Sequence, residues 1–85
     1  MYKAVFSRKA EKSFKRIPRE YQLRLKDDIL ELENNPLCCG TIKLINYPIA
    51  KYRHRTGDYR ILFDIWEEKK VLMILDIQRR TSTTY

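Results

Sequence analysis

Four cations, Lys51, Arg53, Arg55 and Arg60, stand within ten residues of the stretch "KYRHRTGDYRILF", among two tyrosines and the chain's one histidine. Lys51, Arg53 and Arg55 are spaced by two, so on a strand they share one face. "TGD" at 56–58 has glycine at its centre and reads as a turn. A hairpin folding there brings the face of Lys51, Arg53 and Arg55 beside Arg60. A strand that only packs has no use for so many like charges. The chemistry such a row supplies is the binding of a phosphate or another polyanion.

The rest of the composition agrees with an anionic partner. The 85-residue chain carries a formal net charge of +7. Residues 1–26 hold nine Lys/Arg against two acids, and residues 27–36 hold four acids and no base. Residues 37–60 are basic again. Nucleic acid is the commonest partner for such an excess. The length predicts one domain over residues 1–85, with a small core. No apolar stretch is long enough for a membrane span, and the N-terminus lacks the apolar run of a secretory signal. The expectation is a cytoplasmic protein with no membrane partner. Cys38 and Cys39 are adjacent, with Cα atoms about 3.8 Å apart, too close for an ordinary disulfide. With a single histidine they match no zinc spacing. Free thiols, no metal and no cofactor are expected.

Local patterns place the elements that must hold the cations. "YKAVF" alternates and is rich in strand formers. Ser7 is a helix cap, and Ala10, Phe14 and Ile17 then follow at helical spacing. Pro18 ends that helix and suits the first turn of the next. Tyr21, Leu25, Ile29 and Leu32 continue at helical spacing until Asn34, Asn35 and Pro36. After Gly40 the period becomes two, through "TIKLI", "AKYRHR", "YRILFDIW" and "VLMILDIQ". The reading is an α+β fold, β-α-α-β-β-β. An N-terminal strand precedes a helical hairpin over 7–35 and an antiparallel-rich sheet of three to four strands. Parity predicts Tyr59, Ile61, Phe63 and Ile65 under the helices, together with Val71, Met73, Leu75 and Ile77. Arg60 and Arg80 then point to the opposite, helix-free side.

The order of elements, the run "YRHRTGDYRILFDI", the turn "EEKK", "VLMILDIQRR" and the terminal Tyr85 resemble the RelE/ParE toxin superfamily, over essentially the whole chain. The resemblance implies a toxin of a type II toxin–antitoxin system. In the RelE branch that is a ribosome-dependent endoribonuclease cutting mRNA. In the ParE branch it is a DNA gyrase inhibitor with the same fold, and a catalytically degenerate binding module is the third possibility. Carried over residue by residue, Lys51 and Arg53 match two basic positions before the turn. Arg60 matches the arginine of the Gly-x-Tyr-Arg motif, Arg80 the arginine after the last strand, and Tyr85 the C-terminal tyrosine. Arg79 stands one residue from Arg80 and is the alternative equivalent. Arg55 and Arg79 are expected to contact RNA. The frequent His-Arg pair is replaced here by Gln78, Arg79 and Arg80.

The implied reaction is metal-independent. The 2′-hydroxyl attacks its own phosphorus, leaving a cyclic phosphate and a free 5′-hydroxyl. His54 falls on the strand face opposite Arg53 and Arg55 and reads as a packed strand histidine. A cluster of cations offers another route, since crowding depresses a lysine pKa: Lys51 could act as the base, with Arg60 as phosphate clamp, Arg80 supporting the transition state or leaving group, and Tyr85 stacking on a base. The implied partners are the ribosome and mRNA, a short acidic antitoxin, and operator DNA only through the antitoxin complex. Leu62, Trp66, Leu72 and Ile74 share the parity of Arg60, so an antitoxin segment is expected to dock on them; the alternative is that the Arg80–Tyr85 tail covers them and the antitoxin binds the helices.

Overall fold

The computed structural model describes residues 1–38 and 40–79. Strand β1 (Lys3–Phe6) leads into α1 (Arg8–Lys15) and α2 (Arg19–Asn34), followed by β2 (Thr41–Lys43), β3 (Tyr52–Thr56), β4 (Tyr59–Trp66) and β5 (Val71–Arg79). Ser7 caps α1, its Oγ accepting the Ala10 N–H at 3.1 Å. Pro18 separates the helices because it cannot extend α1, and its carbonyl opens α2 by accepting from Tyr21 and Gln22. Gln22 Nε2 then donates to the carbonyls of Phe14 and Ile17, both at 2.9 Å, and satisfies groups left open at the end of α1. The helical hairpin is thus fixed at its corner by local chemistry.

The five strands form one sheet in the order β1-β5-β4-β3-β2. All neighbours are antiparallel except β1 and β5. The helices cover one face. Ala10, Ile17, Leu25, Ile29 and Leu32 meet Tyr59, Ile61, Phe63, Leu72, Ile74 and Ile77 in a single core. The fold class is the α+β arrangement read from the sequence, with four strands after the helical hairpin.

The face assignment of β5 needs correction. Leu72 and Ile74 are fully buried in the helix-covered core, and Val71, Met73 and Leu75 are only half-buried. The cause is a register shift. Leu62 pairs with Asp76 but Phe63 pairs with Ile74, so Leu75 has no opposite residue on β4. One extra residue reverses the alternation. Ile77, opposite Ile61, therefore faces the core as expected, whereas the residues before the bulge are out of phase. Leu72 and Ile74 consequently offer nothing to a partner on the helix-free face.

Helix α1 holds the bulge in place. β1 ends opposite Ile74, and beyond it the free edge of β5 runs beside α1. Ser7 Oγ donates to the Leu75 carbonyl at 2.9 Å, and Ser13 Oγ donates to Asp76 Oδ1 at 2.7 Å. Asp76 Oδ1 also accepts the Ile77 N–H at 2.9 Å. Exposed strand edges are left with unpaired backbone groups. Here side chains supply the missing partners.

Candidate nucleic-acid interface

β3 and β4 join through a two-residue turn in which Gly57 takes φ +56, a value that costs a glycine nothing. The turn fixes a register that pairs Arg55 with Arg60, Arg53 with Leu62 and Thr56 with Tyr59. On β4, Tyr59, Ile61 and Phe63 lie in the core, so Arg60 and Leu62 face away from the helices. Arg53 and Arg55 share that face through their pairing. The next strand adds Gln78, directly opposite Arg60. Lys51 precedes β3 and is exposed, and its N–H donates to Asp64 Oδ1 at 2.7 Å.

The electrostatics of this row are unbalanced. Among the described residues, Arg53 and Arg60 each have a buried Nε with no hydrogen-bond partner. Among the described residues the ion pairs are Lys9–Asp76, His54–Asp28 and Lys70–Glu67, and none includes Arg53, Arg55 or Arg60. Asp64, a possible partner for Arg60 by proximity in sequence, instead holds the backbone of Lys51. Arginine presents a planar fork of donors that suits phosphate oxygens. Three such forks on neighbouring strands can hold a backbone phosphate and stabilise the extra charge of a phosphorane.

His54 lies on the other face. It is 4% exposed, pairs with Ile61 and packs toward α2. Its Nδ1 shares a hydrogen bond with Thr41 Oγ1 at 2.8 Å, and its Nε2 stands 3.7 Å from Asp28 Oδ2. Burial pushes its pKa below the ordinary value, against the opposing pull of Asp28 and Glu31. Gly40, at φ +101, approaches the ring so closely that a Cβ there would meet His54 Cε1 at 3.2 Å. The histidine is a packing residue linking β2, β3 and α2.

Of the remaining candidates, Arg79 pairs with Tyr59 and lines a concavity with Ser13, Arg16 and Pro18 on the helical side. It is not brought to the row of Arg53, Arg55 and Arg60. Arg80 and Tyr85 lie outside the described residues. Two residues were missed by the sequence reading. Gln78 reaches the row by register, and Asp76 is a buried carboxylate beside it, accepting from Gln78 Nε2 at 3.3 Å. A single acid inside "VLMILDIQ" was the available signal for Asp76. Among the described residues no group of three or more His, Cys, Asp or Glu is placed to hold a metal ion. No described helix is long and apolar enough to cross a membrane.

A second surface feature lies on the helical side. A groove of about 680 Å³ runs between β1, α1 and α2, lined by apolar residues including Val5, Phe14, Ile29 and Leu30, with Lys26 and Glu33 at its margin.

The sequence matches a family model described as the ParE toxin of type II toxin–antitoxin system, parDE, over residues 4–83. No match was found among curated proteins. The fold is similar to that of solved structures. One is the toxin–antitoxin complex RelBE2 from Mycobacterium tuberculosis, with a TM-score of 0.83, 22% identity, and coverage of 93% of this chain and 98% of that one. A chain of the archaeal RelE–RelB complex from Pyrococcus horikoshii gives a TM-score of 0.80 at 26% identity, covering 96% of this chain and 98% of that one. The isolated RelE toxin of E. coli gives 0.81 at 20% identity, covering 98% of this chain and 88% of that one.

Proposed function

The chain belongs to the ParE toxin family of type II toxin–antitoxin systems, and we propose that within that family it is an endoribonuclease that cuts mRNA on the ribosome and so arrests translation. The observation that carries this reading is the pairing of Arg55 with Arg60 beside Arg53 on the helix-free face, with the Nε of Arg53 and of Arg60 left without a partner among the described residues. A phosphate of the substrate strand supplies the missing acceptors. Lys51, in its neutral form, takes the 2′-hydroxyl proton, the new bond forms between that oxygen and phosphorus, and the bond to the 5′-oxygen breaks as that oxygen takes a proton from water to leave as the 5′-hydroxyl. Arg60 and Arg53 stabilise the charge that builds on the phosphoryl oxygens, where preorganised donors are most effective. Arg80 and Tyr85, assigned by resemblance, complete the set as leaving-group support and stacking platform. Arg55 is a backbone contact, whereas Arg79, on the helical side, lies away from the substrate strand. The site offers no efficient acid–base pair for free RNA, so the ribosome is required to position the strand.

The second reading is inhibition of DNA gyrase, favoured by the description of the matching family model. The two are separated by expressing the wild type and Arg60→Ala in cells. The nuclease reading predicts mRNA cut within translated codons, mapped by primer extension, and its loss in Arg60→Ala. Intact mRNA together with inhibited supercoiling by purified gyrase would establish the other reading instead.

The natural partner on either reading is a cognate antitoxin, as in the RelE–RelB complexes whose fold the chain shares. Leu72 and Ile74 are core residues and Leu62 is buried, so of the four apolar anchors expected on the helix-free face Trp66 alone is exposed. The groove beside α2 supplies apolar anchors, with Leu30 56% exposed at its rim. An amphipathic antitoxin helix fits this groove with its apolar face, beside Glu11, Lys26 and Glu33, and its acidic side chains fit the basic surface of α1. Leu30→Glu is expected to weaken the complex at least tenfold, read by calorimetry, with the toxin's melting temperature unchanged.

A further inference from the structure

Among the described residues ten large hydrophobic side chains are exposed, and four of them fall within the eight residues Ile42–Ile49. Ile45 is 83% exposed, Ile42 47%, Tyr47 39% and Ile49 37%. A connection between two strands needs turn chemistry, not apolar bulk, and a concentration of such side chains in solvent points to a binding role.

The loop is held at its base. The Leu44 N–H donates to the Lys51 carbonyl at 2.8 Å, closing the ends on each other. Lys51 is tied in turn to Asp64 on β4, and Ala50 is buried at 4% exposure. Asn46 takes φ 56 and turns the chain. The loop therefore presents its apolar side chains from a fixed base, which limits the ordering cost of binding.

Its position and charge identify the occupant. Ile42 pairs with Arg53, so β2 carries the apolar surface directly onto the arginine face. Lys51 ends the loop and Arg53 follows two residues later. At about 3.3 Å per strand residue, Lys51 lies roughly 13 Å along the strand from the Arg55–Arg60 pair. No acidic residue occurs between Glu33 and Asp58. Apolar and aromatic side chains continuous with cations, with the nearby Asp64 carboxylate taken up by the Lys51 N–H, form a surface suited to single-stranded nucleic acid, with phosphates on the cations and bases on the rings.

We propose that the β2–β3 loop is the base-binding platform of the substrate strand, with Tyr47 stacking on one nucleobase and Ile45 and Ile49 flanking it. This rests on the phosphate-binding reading of Arg53, Arg55 and Arg60. Stacking tolerates any base but gains with ring area, so a purine is preferred at that position.

The test uses a short, end-labelled, 2′-deoxy-substituted RNA that cannot be cleaved, with anisotropy measured at low salt. Tyr47→Ala is expected to lose roughly five- to hundredfold in affinity, and Tyr47→Phe to keep it. An abasic site at one position should cost the wild type a similar factor and cost Tyr47→Ala nothing further. If Arg60→Ala loses affinity while Tyr47→Ala binds like wild type, the platform is overturned and the phosphate row stands. If the wild type has no affinity for the strand, both fall. A Tyr47→Ala variant that melts lower and loses equally on intact and every abasic strand has a structural role only, which also overturns the proposal. So does a Tyr47→Ala variant that keeps RNA but loses the cognate antitoxin, because the loop is then a protein interface.

Discussion

Arg55 and Arg60 stand directly opposite each other across the β3–β4 ladder, and neither has an ion-pair partner among the described residues. Like charges in that relation destabilise a sheet. The pair makes physical sense where an anion comes between them. On the proposed reading, removing Arg60 removes a phosphate contact and a small repulsion together. Arg60→Ala is expected to lower mRNA cleavage about 10²- to 10³-fold, the usual scale for deleting one transition-state donor. Its melting temperature should stay level or rise slightly. A variant that unfolds, or one that still arrests growth fully, would count against the assignment.

Asp76 joins α1 to the bulge of β5 through Ser13 and Ile77 and accepts from Gln78, the residue opposite Arg60. Asp76→Ala leaves the Ser13 hydroxyl and the Ile77 N–H without their acceptor. The expected loss is about 2–4 kcal/mol, from two buried groups left unpaired. Chemical denaturation measures it. A loss well under 1 kcal/mol would mean that water replaces the carboxylate.

Leu72 packs at 0% exposure between β1 and β4, opposite Ala4 and Ile65. Leu72→Ala should cost about 2–5 kcal/mol through lost burial and the cavity left behind. For a domain of this size each kcal/mol lowers the melting temperature by about 4–8 °C. Leu30→Ala, on the exposed rim of the helical groove, is the control and should leave stability within about 0.5 kcal/mol. Equal effects of the two would contradict the face assignment of β5.

His54 gives the fold a pH dependence of known sign. Burial lowers its pKa in the folded state, so the unfolded chain binds the proton more readily. Stability is complete above the unfolded value near 6.5 and is lost as pH falls toward the lower folded value. Since the chain has one histidine, His54→Gln should flatten the slope of melting temperature between about pH 5.5 and 7, above the range where ordinary carboxylates titrate. An unchanged slope would show that another group dominates that window.

The helical hairpin, its break at Pro18, the β3–β4 turn at Gly57 and the facing of Arg53, Arg55 and Arg60 were all legible in the sequence. Each depends on local rules: a cap, an imino acid, a glycine, and alternation along a strand whose two faces differ in polarity. The sequence could not determine the phase of β5, because Val71–Leu75 is apolar at every position and either face would do. Tertiary structure decided it. Ser7 and Ser13 on α1 bind Leu75 and Asp76 and fix one extra residue in the strand, which sends Leu72 and Ile74 into the core. The same register places Arg79 on the helical side and Gln78 beside Arg60. Those partners are more than sixty residues apart in sequence, so no local pattern carries the information. It exists only once α1 lies along the edge that β1 leaves open.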